Sequence, residues 1–211
     1  MSVTPELLMQ AYAAGVFPMA EHRDDPEIFW VDPRRRGIIP MSGLHISRSF
    51  AKRLKRDDYS VTMDQAFEAV IDACAQRRET WINQEIRTLF VELHRRGQAH
   101  SLEVWMEGEL AGGIYGLSVG AAFCGESMFS RRRDGSKIAL AWLMDVLRRA
   151  GVVLFDTQFL TDHLASMGGV EISRAAYRAR LAEAVQGSAD IAGTPLARSG
   201  QEVVQRSTQT S

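Results

Sequence analysis

The sequence predicts an α+β fold in which a mixed sheet carries helices on its faces. Three observations lead there. Helical patterning dominates the first half of the chain. Alternating strands joined by a tight turn follow over 102–129. A long amphipathic segment then delivers the chain to a short apolar run, Val152-Val153-Leu154-Phe155. The 211 residues suffice for one substantial core, with at most a small annexe, and not for two full-sized domains.

In chain order, Thr4-Pro5-Glu6 is a helix start, with a capping hydroxyl, a proline at the first helical position and an acid in the first turn. Leu7, Leu8, Ala11 and Tyr12 form its apolar face, and Gly15 ends it. The runs VFPMA and EIFWVDPRRRGIIP, broken by prolines, read as irregular strands packed by Phe17, Phe29 and Trp30. A short helix over 45–56, capped by Ser47, sets Arg48, Lys52, Lys55 and Arg56 at spacings of four, three and one, so that three of them share a face. On pattern alone this is either a solvated basic face or, with Arg34-Arg35-Arg36 upstream, a phosphate-binding stripe.

A strand over 59–62 precedes a helix with Phe67, Val70, Ile71 and Cys74 on one side. Asn83 caps the next helix, which runs through Ile86, Leu89, Phe90 and Leu93 to Gly97. Leu102, Val104 and Met106 alternate with polar neighbours, Glu107-Gly108-Glu109 turns the chain, and 110–118 returns as the second arm of a hairpin. A further strand spans 121–129, a helix 136–150 and a buried strand 152–155. Short helices follow at 162–167 and from a Ser173 cap to 185. From 187 onward the residues are small and polar, which predicts a disordered tail over 187–211.

With 45% hydrophobic and 24% charged residues and a formal charge of −1, the chain has no global field for a polyanion; nucleic-acid contact requires a local cluster. Cys74 and Cys124 have no metal spacing, and the start MSVTPELLMQAYAAG has neither a basic leader nor an apolar run, so a reducing, cytoplasmic setting is expected. No stretch reaches the length of a membrane span.

None of His22, His45, His94, His100 and His163 stands beside a candidate nucleophile, and no Gly-x-Ser-x-Gly elbow occurs. Cys124, inside an apolar strand, reads as core, and no metal ligand set is present. Gly135-Ser136-Lys137 opens a helix, but Arg131 stands where a Walker loop needs glycine. A coenzyme-A loop fits at 132–137 except that Lys137 replaces its final small residue. What remains there is a helix start behind Arg131, Arg132, Arg133 and Lys137, suited to a phosphate. Glu126 is either a structural acid in a turn or an acid at the rim of an apolar pocket, placed to receive a cation. Asp156, ending a buried strand, is either a helix cap or a ligand-facing carboxylate, with Gln158 two residues on and on the same face.

GVFPM, LHISRS, TWI, AHSLEVW, GGIYG, FCGESMFS, SKIAL and FDTQFLTDHLASMG, in this order over 7–177, closely resemble the leucyl/phenylalanyl-tRNA-protein transferase family. The resemblance implies an acetyltransferase-like (GNAT-type) α+β fold over 33–186 that has exchanged coenzyme A for aminoacyl-tRNA, with a shortened N-terminal α/β annexe over 1–32. It implies transfer of leucine, phenylalanine or methionine onto the N-terminal Arg or Lys of proteins, marking them for N-degron proteolysis, by a cytoplasmic monomer with no cofactor, metal or membrane partner.

By the same resemblance Asp156 and Gln158 are a catalytic pair: Gln158 holds the acceptor amine, and Asp156 draws its proton through that hydrogen bond. Glu126 pairs with the acceptor's basic side chain. Ile114, Phe123, Met128, Leu140, Leu143, Leu147 and Phe155 form the donor side-chain pocket, Trp81 receives the terminal adenosine, and Arg48, Lys52, Lys55 and Arg56 bind the tRNA acceptor stem. Met19 departs from the pattern, standing where an aromatic often follows Phe-Pro. The rival readings are an acyl-coenzyme-A N-acyltransferase of the same fold and a non-catalytic RNA-binding module.

Overall fold

A computed structural model describes residues 3–208. The elements in chain order are α1 (Pro5–Ala13), β1 (Phe17–Met19), β2 (Phe29–Val31), β3 (Arg35–Ile39), α2 (Arg48–Leu54), β4 (Ser60–Met63), α3 (Phe67–Ala75), α4 (Gln84–Arg95), β5 (Ala99–Met106), β6 (Glu109–Val119), β7 (Ala122–Ser130), α5 (Gly135–Arg149), β8 (Leu154–Gln158), α6 (Asp162–Ser166), β9 (Val170–Ser173), α7 (Arg174–Ala184) and α8 (Gly200–Thr208). Several helix starts are where capping chemistry puts them, while α3 and α5 have no side-chain cap. Thr4, Ser47, Asn83 and Ser173 each accept a backbone N–H from the first turn that follows.

Seven strands form one sheet in the order β4-β5-β6-β7-β8-β3-β9. Every neighbouring pair is antiparallel except β7 and β8, which run parallel because α5 carries the chain back between them. The expected mixed α+β sheet flanked by helices is therefore present, and it is mostly antiparallel. On one face α5, apolar around much of its circumference, packs with α2 and α8; on the other lie α1, α3 and α4. A smaller cluster joins α7 to Ile38, Ala122 and Leu154.

The N-terminal segment is not packed separately: Leu8, Tyr12 and Phe17 belong to the same core cluster as α3 and α4, and Tyr12 meets Phe90 edge-on at 6.5 Å. Phe29 and Trp30, expected as packing residues, are 44% and 40% exposed; the β1–β2 ribbon is seated by Phe17 instead.

The disordered tail expected over 187–211 is contradicted as far as residue 208. Ile191, Ala197, Val203 and Val204 enter the core beside α5, α8 packs on α2 and α5, and Arg206 donates to the buried Asp145 at 2.9 Å. Composition misled here because most apolar residues of a sparse set are spent on one contact face. β9 was also missed: it is four residues long, largely exposed, and paired only with β3.

Among the described residues the sheet has three β-bulges, one between β5 and β6, where Ala111 is extra, and two nearer its middle. Between β6 and β7, Tyr115 opposes Ser127 while Gly116 opposes Gly125, leaving Glu126 as the extra residue. Between β3 and β8, Gly37 opposes Gln158 while Ile38 opposes Asp156, leaving Thr157 extra. A bulge bends its strand and re-aims the side chains around it. Glycine is required at both: a Cβ on Gly125 would stand 2.7 Å from the Phe155 ring, and one on Gly37 would stand 2.7 Å from the Phe159 backbone.

Candidate active site

The bulges at Glu126 and Thr157 open onto a cavity of about 730 Å³, a size typical of small-molecule sites. Ile114, Met128 and Phe155 supply apolar wall, Glu126 and Gln158 polar wall, and Trp81, from the break between α3 and α4, closes one side. Ser136 at the start of α5, Arg77, Arg131, and Thr161 with His163 around α6 complete the rim.

Glu126 is 7% exposed, and its Oε1 accepts a hydrogen bond from Gln158 Nε2 at 2.8 Å. Its Oε2 is buried without a partner, as are the hydroxyls of Tyr12 and Tyr115. Burial pushes the Glu126 carboxyl up to about 8; the charge of Asp156 adds to this, while the Tyr12 hydroxyl, Arg36 and Gln158 oppose it. Gln158 adopts φ +60°, the left-handed region that a side chain other than glycine enters at a cost. Its backbone N–H is held there by Asp156 Oδ1 at 2.8 Å.

Asp156 lies behind the cavity wall, fully buried. Arg36 grips it with two hydrogen bonds, Nε to Oδ1 at 2.8 Å and Nη2 to Oδ2 at 2.6 Å, and the Tyr177 hydroxyl donates to Oδ2 at 2.9 Å. The guanidinium also donates to the Gly15 carbonyl and lies over the rings of Phe17 and Tyr177 at 4.6 and 4.3 Å. Burial works against the charge on Arg36, but Asp156 outweighs it and holds the guanidinium above its ordinary range.

The role of Arg36 is not legible in the sequence, which groups it with Arg34 and Arg35 as support for a phosphate-binding stripe. The available signal of its burial was Arg-Gly-Ile-Ile, in which the arginine leads directly into a buried strand. Asp156 reaches the Gln158 backbone, and the Gln158 side chain turns to Glu126.

Of the seven expected pocket residues, Ile114, Met128 and Phe155 line the cavity. Phe123, Leu140, Leu143 and Leu147 lie behind it, fully buried, and Phe123 meets Phe155 edge-on at 5.6 Å. Arg48, Lys52, Lys55 and Arg56 are exposed on and just beyond α2, away from the cavity rim. Cys124 is fully buried, and burial raises its thiol well above the ordinary value, in keeping with core packing rather than a nucleophile. Among the described residues no helix is long and apolar enough to cross a membrane.

Fold and cavity describe a small α+β protein whose site sets a buried acid and an amide against an apolar wall. A model of the leucyl/phenylalanyl-tRNA protein transferase family matches residues 38–182, and the model of that family's N-terminal domain matches residues 1–34. A protein of Ruegeria sp. (strain TM1040) named leucyl/phenylalanyl-tRNA–protein transferase is 62% identical over 211 residues, with both chains covered completely. Its namesake from Roseobacter denitrificans is 60% identical over 211 residues, again with full coverage of both. The chain belongs to the leucyl/phenylalanyl-tRNA protein transferase family. Among solved structures, a tandem GNAT protein from the clavulanic acid biosynthesis pathway aligns with a TM-score of 0.40 and 19% identity, over 80% of this chain and 56% of that one, a likeness too distant to bear on the fold.

Proposed function

We propose that the chain transfers leucine, phenylalanine or methionine from aminoacyl-tRNA to the N-terminal Arg or Lys of acceptor proteins, forming a peptide bond and marking the product for N-degron proteolysis. Family membership supports the reaction. The observation that carries the reading to individual residues is the joining of Glu126 and Gln158 on the polar wall of a cavity whose apolar wall is Ile114, Met128 and Phe155.

In this reading the acceptor's cationic side chain pairs with Glu126 through the unpartnered Oε2. Gln158 commits its Nε2 to Glu126, which leaves its carbonyl oxygen to accept a hydrogen bond from the acceptor α-amine. An α-amine with pKa about 7.7–8.0 is partly neutral at cell pH and needs no strong base. The aminoacyl ester is already activated, so the work is placement: the amine attacks the ester carbonyl, the C–N bond forms, the C–O bond breaks, and the amine proton ends on the departing ribose oxygen.

Asp156 acts as a positioning residue, holding the Gln158 backbone in its left-handed conformation while Arg36 and Tyr177 hold Asp156. The donor side chain rests on Ile114, Met128 and Phe155, backed by Phe123, Leu140, Leu143 and Leu147. An added methylene is worth about 1–3 kcal/mol, so donor choice is broad. Trp81 takes the terminal adenosine, and exposed Arg48, Lys52, Lys55 and Arg56 meet the acceptor stem. The same reading takes the sheet, with its parallel β7–β8 pair spanned by α5, as acetyltransferase-like, and the protein as a cytoplasmic monomer working without a cofactor.

The test uses radiolabelled Leu-tRNA with peptides differing only in their first residue (Arg, Lys, Asp, Glu or Ala), with acetyl-coenzyme A as competing donor. Transfer confined to Arg and Lys is the expected result. Transfer to Asp or Glu would keep the chemistry and overturn the role of Glu126, and no transfer from tRNA would return the coenzyme-A reading to the front.

A further inference from the structure

A second concavity, about 600 Å³, lies beside the first, on the other side of the loop that joins β7 to α5. One wall is α2 and the residues after it, with Lys52, Arg53 and Arg56; the other is the loop and the start of α5, with Arg133 and Lys137. Asp58 and Asp134 also line it, but each is answered locally: Asp58 accepts from Arg53 at 2.5 Å, and Asp134 lies 3.8 Å from Arg133.

Lys52, Arg56 and Lys137 form no ion pair with a described residue, whereas the arginines of α4 and α7 that pair do so with acids close by. Five cations line the groove against two acids, Asp58 and Asp134, so like charges still face one another across it, and a polyanion removes that repulsion. Sequence placed these charges in two unrelated stretches; the sheet brings them together. The groove and the cavity both reach the start of α5. Consecutive residues of α5 serve the two spaces, Ser136 lining the cavity and Lys137 the groove, and the Lys137 charge is felt at His163 on the cavity rim, where burial and then Lys137 lower the imidazole.

We infer that Arg133 and Lys137 complete, with Lys52 and Arg56, a phosphate-binding groove that guides the 3′ single strand of the donor tRNA across the start of α5 into the cavity. This rests on the aminoacyl-tRNA reading above. The strand's phosphodiesters follow the groove, and its terminal aminoacyl-adenosine, which carries no bridging phosphate beyond it, enters past Ser136. Arg133 and Lys137 hold phosphates, and the chemistry at Gln158 proceeds without them.

The experiment measures KM for two donors, Leu-tRNA across a range of salt concentrations and leucyl-adenosine, which lacks phosphates, in Arg133→Ala, Lys137→Gln and their double variant. Arg180→Ala, an exposed cation on α7, is the control. The Arg133 side chain is 96% exposed, so its removal leaves the core intact.

The expected result is a raised KM for Leu-tRNA with a salt slope shallower by about 0.7 for each lost contact, and unchanged use of leucyl-adenosine. An unchanged slope would overturn the groove. Equal loss with both donors would make Lys137 a support of the cavity wall and overturn it too, as would an effect confined to the KM of the acceptor protein. A wild-type chain inert with Leu-tRNA defeats the function reading itself, and shows this before any variant is made.

Discussion

Asp156 and Glu126 stand on the adjoining parallel strands β8 and β7, both nearly sealed from solvent, yet their surroundings differ in kind. Asp156 has a bidentate arginine, a tyrosine hydroxyl and a backbone N–H. Glu126 has one amide donor and an oxygen with no partner. A buried carboxylate with its hydrogen bonds filled is a structural anchor. One left half-satisfied beside a cavity, with its carboxyl pushed up to about 8, is stabilised by an arriving cation. The contrast separates the two acids that sequence had grouped: one has its hydrogen bonds filled, and the other keeps an oxygen open at the cavity, where the proposed acceptor cation would pair.

The largest effect that tests this contrast is on the anchor. Arg36→Met leaves Asp156 buried and uncompensated and should cost about 3–5 kcal/mol in urea unfolding, whereas the double change Arg36→Met with Asp156→Leu should recover most of that loss. If the single variant unfolds like wild type, the pair is no anchor.

Next comes Gln158, which bridges the two environments. Gln158→Ala should lower kcat/KM on the order of 10²-fold with a melting temperature close to wild type, since its hydrogen bond faces the cavity rather than the core. Gln158→Asn tolerates the left-handed backbone but is a methylene shorter, so it should lose the bond to Glu126 and fall nearly as far.

Glu126 gives a smaller effect with a distinctive sign. Its folded carboxyl titrates near 8 and its ordinary value is 4.5, so the folded state binds the extra proton between those values. Stability therefore falls as pH rises through that window. Glu126→Gln removes the penalty and should stabilise the protein by about 2–3 kcal/mol at pH 7, with no gain near pH 4, while raising KM for Arg-started peptides. A variant less stable than wild type at pH 7 would show that Glu126 is an anchor after all. The smallest effect belongs to Tyr177→Phe, which removes one of several donors to Asp156 and should cost about 1 kcal/mol in thermal or urea melts.

What the sequence by itself determined is what local chemistry decides. The caps at Thr4, Ser47, Asn83 and Ser173, the hairpin turn at Glu107-Gly108, the buried helix of Ile138 to Leu147 and the α+β class all follow from residues a few positions apart. Glu126 and Asp156 could be singled out because carboxylates inside apolar strands need a reason.

Only the tertiary structure decided how those carboxylates are partnered. Arg36 and Asp156 are 120 residues apart, and they meet because β3 inserts between β8 and β9, a placement no local pattern encodes. The bulges at Glu126 and Thr157 arise from register between strands, so an alternation read along one strand placed Gln158 with Asp156 when its side chain belongs with Glu126. The last helix follows the same logic. Val203 and Val204 look too sparse to fold until α2 and α5 present the apolar surface that receives them. Burial and partnering depend on the whole chain, and they separate an anchor from a site.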